Sequence, residues 1–201
     1  MKKIATVIAI AAGCLVYAAQ AQAAAPIKIG ALFAVTGPAA YLGEPEKNTA
    51  LMVQEQVNAG GGINGRPIEI IVEDTEGDEA KTVMKVTKLI TQDEVVAIIG
   101  PTRSGTTMAA IPIVEKYEIP MISCAAAEDI VKPVKKWVFK TPQSDADAAR
   151  VIYEKIKAMG LTKVALTTGT TGFGAAGREQ LKKLAPEYGV TIVADETYGP
   201  K

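Results

Sequence analysis

From Ile27 onward short β-rich runs alternate with longer helical patterns, and that alternation restricts the chain to parallel sheets covered by helices. Ile27–Phe33 reads as a strand, and Glu44–Ala59 as a helix with Ala50, Val53 and Val57 on one face. The glycine-rich stretch from Gly60 to Pro67 reads as a turn. Ile68–Glu73 is a second strand, and Glu79–Asp93 a second helix using Val83, Val86 and Ile90. Val95–Ile99 is a continuous apolar run ended by Gly100-Pro101, the pattern of a strand buried on both faces. A helix over Gly105–Tyr117, bent at Pro112, is followed by strands at Ile119–Ser123 and Trp137–Thr141. Helix Asp145–Met159, strand Lys163–Thr168, helix Gly174–Glu187 and strand Val190–Glu196 repeat the unit. In such sheets ligands sit beyond the carboxyl ends of the strands.

The expected fold is therefore α/β, in two lobes, each a parallel sheet flanked by helices. A composition shift at Thr141–Asp145 marks the crossing, giving a first lobe over residues 24–143 and the start of a second over 144–201. Two strands cannot bury both helix layers, so the second lobe is expected to be incomplete here: the chain is a fragment, the first expectation, or the lobe is completed elsewhere.

Residues 1–23 are expected to lie outside the fold. Lys2 and Lys3 precede an uncharged, mostly apolar run from Ile4 to Ala19, and Ala21-Gln22-Ala23 supplies a cleavage site, the layout of a secretory signal peptide. That run would span roughly 24 Å as a helix, short of a ~30 Å hydrocarbon core. A lipoprotein reading at Cys14 fits less well: Ala11 stands where a larger aliphatic residue is usual, and Leu15-Val16-Tyr17 prolongs the apolar run. Without Lys2 and Lys3, the 22 basic residues fall two short of the 22 acidic ones, a net charge of −2. A soluble protein outside the cytoplasm is expected.

The chain has no histidine, which removes Ser-His-Asp and Cys-His nucleophiles and imidazole metal sites. Of its two cysteines Cys14 lies in the leader, so Cys124 is left without a disulfide partner. No long basic run points to nucleic acid. No catalytic residue, metal or cofactor is expected.

Three carboxyl-end loops should converge: Ala34–Gly43, Gly100–Thr106 and Ser123–Asp129. The middle one leaves a buried strand and enters a helix, whose free N–H groups and partial positive charge suit a carboxylate. Ser104 there is either a ligand contact or a helix cap. Gly100 and Gly105 carry phosphate-loop spacing, but Thr106 stands where the lysine must be. The third loop, small and with accessible backbone, fits either a ligand contact or plain strand–helix packing with Cys124 as a buried small apolar residue, and Glu128-Asp129 reads as a solvated helix start. Two G-x-G-x-x-G matches occur. Gly60, Gly62 and Gly65 precede a strand and are a turn. Gly172, Gly174 and Gly177 open a helix with Asp195 about twenty residues on, the one opening for a dinucleotide enzyme, although Gly169-Thr170-Thr171 lengthens the turn.

Together these loops resemble the solute-binding receptors of ABC transporters, specifically the branched-chain (leucine/isoleucine/valine) amino-acid-binding family. The resemblance is carried by residues 36–43 (TGPAAYLG), residues 58–67 (NAGGGINGRP) with the extended run into Asp74, Gly100-Pro101 with Ser104, and Ile119-Pro120 ahead of Ser123. It implies a type I periplasmic binding fold, truncated on the C-terminal side, whose lobes close on a small carboxylate, an amino acid first of all. Delivery to membrane permease subunits, a periplasmic location and a monomer are implied too. A ligand-sensing module of the same fold is the alternative.

Carried over by position, Ser104 would bind the ligand carboxylate with backbone at Ala125 and Ala126. Leu42 and Phe173 would line the pocket at positions that are often aromatic. Ala127 would sit beside the carboxylate, where amino-acid binders tend to have a threonine. The residues for the ligand's ammonium group are expected beyond Lys201.

Overall fold

The computed structural model describes residues 25–199. Residues 1–23, read above as a signal peptide and including Cys14, lie outside the described residues. Strand β1 (Ile27–Phe33) leads through α1 (Ala40–Ala59) to β2 (Ile68–Asp74), then α2 (Glu79–Thr91) and β3 (Ala97–Ile99). Helix α3 (Ser104–Tyr117), β4 (Met121–Ser123), a 3-10 turn (Glu128–Ile130) and β5 (Val138–Lys140) follow. After α4 (Asp145–Ala158) come β6 (Lys163–Gly169), α5 (Gly172–Leu184), a 3-10 turn (Ala185–Tyr188) and β7 (Thr191–Tyr198).

Five strands form one sheet in the order β2-β1-β3-β4-β5, and β6-β7 form a second. Every pairing is parallel. The β1–β2 register runs unbroken from Ile27↔Ile68 to Phe33↔Asp74. Successive side chains of a strand face opposite ways, so β1 supplies two cores. Ala31 and Phe33 join Ala50 of α1 and Ile70 on one face. Leu32 joins Val86, Leu89, Ile98, Val114 and Met121 on the other. The second sheet has its own cluster, Ala146, Ala149, Tyr153, Leu184, Ala185 and Val190, with Tyr153 stacked on Tyr188 at 5.8 Å.

Several sequence-based faces and bounds shift. Helix α1 begins four residues before Glu44, one turn ahead of Pro45, and Val53 is exposed. Helix α2 buries Thr82, Val86 and Leu89 and leaves Val83 out. Thr82 goes inward because its hydroxyl donates to the Asp78 carbonyl at 2.6 Å, satisfying the buried polar group. The run Val95–Ile99 is not buried on both faces throughout. Val96 is 55% exposed, standing where β3 enters the sheet with its N–H on the Lys28 carbonyl.

Candidate functional site

The carboxyl ends of β1, β3 and β4 open onto one region, and side chains tie their loops together. Thr102 Oγ1 donates to Glu46 Oε2 at 2.5 Å and accepts from Ala34 N at 3.0 Å, joining the first loop, α1 and the second loop. The Asp74 carboxylate accepts from Val35 N, Thr36 N, Thr36 Oγ1 and Glu76 N. Burial pushes the Asp74 carboxyl up, but the Thr36 hydroxyl and these amides outweigh it and hold it below the usual value. At the third loop, Thr107 and Ser123 hydroxyls lie 2.8 Å apart, and Ser123 Oγ accepts from Ala125 N at 3.0 Å.

Ser104 is the first residue of α3, and its side chain is buried. It does not cap the helix: Arg103 is the N-cap residue, and Ser104 Oγ accepts from Ala127 N at 3.3 Å. Inside the first turn the hydroxyl points away from its own helix's free amides and meets the β4 loop instead. The three alanine amides therefore differ. Ala125 N is held by Ser123 and Ala127 N by Ser104, while Ala126 N has no hydrogen-bond partner among the described residues. Ala125 and Ala127 are buried, Ala126 half-buried.

Of the remaining carried-over positions, Leu42 stands on the first turn of α1, 43% exposed, and Phe173 on the first turn of α5, 59% exposed. The start of α5 abuts the start of α3, where a methyl group on Gly172 would lie only 2.7 Å from Gly105 N. Two helix N-termini thus converge beside Ser104, and both concentrate partial positive charge there.

Two readings change. Glu128 is buried and paired with Lys132, four residues on, rather than standing in solvent; burial raises its carboxyl, and Lys132 and Ser144 more than offset that. The Gly172 turn is short, with only Thr170 and Thr171 between β6 and α5, and Gly172 is already helical. Asp195, the acid a dinucleotide would need, is held by Arg178 at 2.7 and 2.6 Å and by Lys182 at 2.7 Å. It is not free to bind a ribose.

Cys124 is half-buried, its thiol pushed up to about 12 by burial and by Glu46, so it stays protonated and unreactive. An open groove of about 840 Å³ lies elsewhere, on the second sheet along Gly169, Arg178, Lys182 and Thr197. Of its charged lining residues, Arg178 and Lys182 are committed to Asp195, and Glu179 and Lys183 also border the groove. Among the described residues no group of three or more His, Cys, Asp or Glu is placed to hold a metal.

Sequence reasoning overlooked Thr102, Glu46 and Lys140. Thr102 lay within the loop already singled out. Lys140 became visible only through the β4–β5 register, which sets Ser123 opposite it.

A family model described as "Periplasmic binding protein" matches residues 26–201. The leucine-, isoleucine-, valine-, threonine- and alanine-binding protein of Pseudomonas aeruginosa is 29% identical over 185 residues, 90% of this chain and 48% of that protein. The Leu/Ile/Val-binding protein of Escherichia coli K12 is 32% identical, over 74% of this chain and 42% of its own length. Among solved structures, a branched-chain amino acid transporter substrate-binding protein of Streptococcus pneumoniae, in complex with isoleucine, aligns with a TM-score of 0.77. It is 30% identical, over 87% of this chain and 50% of that one. An extracellular ligand-binding receptor of Rhodopseudomonas palustris HaA2 aligns at 0.79 with 27% identity, over 87% and 47%. The chain spans about half the length of the curated relatives it matches.

Proposed function

The chain belongs to the periplasmic binding protein family, and from that premise we propose that it is a solute receptor working outside the cytoplasm. It captures a small carboxylate, a branched-chain or other amino acid first of all, and passes it to an ABC permease. One observation carries the reading: buried Ser104, at the start of α3, engages the alanine loop of β4 beside the unpaired Ala126 amide. A hydroxyl, a free amide and a helix N-terminus are the donors a carboxylate needs.

In this reading the ligand carboxylate lies against Ser104 Oγ and Ala126 N, with Ala125 and Ala127 as apolar walls. Leu42 and Phe173, half-exposed on two helix starts, cover it when the lobes close. Residues 24–143 form the first lobe and 144–201 contribute to the second, with residues 1–23 removed on export. No bond is made or broken, and release follows reopening. The names of the Pseudomonas and Escherichia relatives support the choice of amino acids.

Calorimetry on the full-length mature protein tests this, with amino acids, small aliphatic and aromatic carboxylates and NAD as titrants. We expect an amino acid or other carboxylate to bind at about micromolar affinity or tighter, and Ser104→Ala to weaken it at least ~tenfold. Binding of NAD alone would overturn the reading.

A further inference from the structure

A cation holds the alanine loop from behind. The β4–β5 register sets Ser123 opposite Lys140, so the Lys140 side chain leaves the carboxyl end of β5 beside that loop. Its Nζ donates to the Ala126 carbonyl at 2.6 Å and to the Gln143 carbonyl at 3.4 Å. The peptide unit that carries the Ala126 carbonyl also carries the Ala127 N–H, which donates to Ser104 Oγ at 3.3 Å. Lys140 and Ser104 are thus linked through a single peptide group.

We propose that Lys140 is a positioning residue of the ligand site, fixing and polarising the Ala126–Ala127 peptide so that Ser104 Oγ faces the crevice as a hydrogen-bond donor. The proposal rests on the solute-receptor reading above. A cation on a carbonyl draws electron density from the amide nitrogen and strengthens its N–H as a donor. A serine oxygen that already accepts one bond has its own proton left to give, and that proton is what a ligand carboxylate recruits. Ala126 N, one residue earlier in the loop, is oriented by the same restraint.

The surroundings keep Lys140 in this role. Burial lowers its pKa from the usual lysine value, opposed chiefly by Asp145 and then by Glu128. Both carboxylates are buried, and each has one oxygen without a partner among the described residues, Oδ2 of Asp145 and Oε2 of Glu128. They supply negative charge around the ammonium, while its hydrogen bonds go to the two carbonyls.

A purely structural lysine, present only to neutralise Asp145 and Glu128, would affect folding but would not couple to Ser104. A double-mutant cycle separates the two roles. L-leucine affinity is measured by calorimetry on the full-length protein and its Lys140→Met, Lys140→Arg, Ser104→Ala and Lys140→Met/Ser104→Ala variants. Lys140→Met should weaken binding about tenfold or more, Lys140→Arg should restore it to within about threefold, and Lys140→Met should add little in the Ser104→Ala background. Unchanged affinity in Lys140→Met, or full additivity with Ser104→Ala, overturns the proposal. Lys140→Gln, which keeps a donor and drops the charge, replaces Lys140→Met if that variant does not fold.

If the parent protein binds neither an amino acid nor another small carboxylate, the receptor reading fails, and the Lys140 proposal is decided without ligand. The Ala127 amide proton, followed by NMR, should move upfield in Lys140→Met as its bond to Ser104 weakens. An unmoved resonance would refute the proposal.

Discussion

The units β1–α1–β2 and β6–α5–β7 are built alike: a strand, a crossover helix and a parallel partner strand in a seven-pair register. Their burial differs sharply. Ala31, Leu32 and Phe33 of β1 are fully buried, whereas β6 buries only Leu166, and β7 is half-buried at best. Strand β1 has β2 and β3 on its two edges and apolar clusters on both faces. Strand β6 pairs with β7 alone among the described residues, and only Val164, Leu166, Thr168 and the terminal Gly169 escape full exposure on it. Its register also shifts between Val164 and Ala165, which the better-buried β1–β2 pair does not do. The same local signal thus gives a core strand or a one-faced strand, depending on how many layers close over it.

The sharpest way to break this comparison is to truncate a leucine in each unit. Leu32→Ala leaves a cavity between α2, α3 and the sheet and should cost about 3–5 kcal/mol. Leu166→Ala should cost about 2 kcal/mol or less, because exposed neighbours on β6 let the site relax or take up water. Urea unfolding of both variants measures the difference. Equal costs would mean that the second unit is as tightly packed as the first.

A smaller effect tests a device the two units share. Near each helix start a glycine rides on the carbonyl at the end of the preceding strand. A methyl group on Gly43 would lie 2.2 Å from the Ala34 oxygen, and one on Gly174 would lie 2.1 Å from the Gly169 oxygen. Close helix-on-strand packing is what the glycine permits. The geometric clash is the same, but the room to relieve it is not. Gly43 is buried in the first turn of α1, against a loop fixed by Asp74 and Thr102, while Gly174 is half-buried on a helix with exposed flanks. Gly43→Ala should cost ~3 kcal/mol and Gly174→Ala ~1 kcal/mol, again by urea unfolding.

This pairing also shows what the sequence could and could not reveal. Strand–helix alternation fixes the class, because only parallel sheets accommodate it, and G-x-G-x-x-G drew notice to Gly174. Gly43 has no such flag, since its role depends on where the Ala34 carbonyl ends up. Periodicity placed Val83 inside α2, but Thr82 took the place once its hydroxyl found the Asp78 carbonyl. At the site, Ser104 and the alanine loop were legible as small residues at strand ends. Their division of labour was not, because which amide stays free depends on Ser123 and Ser104 accepting from its neighbours. Lys140 acts across strands, and no pattern within one segment points to it.

The smallest expected effect separates the units by the kind of charge partner each uses. Asp74 in the first unit and Asp195 in the second both have carboxyls held below the usual aspartate value. For Asp74 burial works against this and is overcome by the Thr36 hydroxyl and backbone amides; for Asp195 the cause is Arg178, then Lys182. A depressed carboxyl stabilises the fold above its unfolded value of about 3.9, and the contribution is lost as pH falls through the lower folded value. Both units should therefore lose stability on that acid limb, and Asp74→Asn and Asp195→Asn should each flatten part of it. Salt tells them apart. The partners of Asp74 are neutral dipoles, whose bonds salt barely screens, whereas Asp195 faces two part-exposed cations that it does screen. Thermal unfolding midpoints between pH 6 and 2, at low and high sodium chloride, should show a salt-independent difference for Asp74→Asn and one that shrinks with salt for Asp195→Asn. A salt-sensitive Asp74 would mean that the first loop is held by long-range charge and not by its local hydrogen bonds.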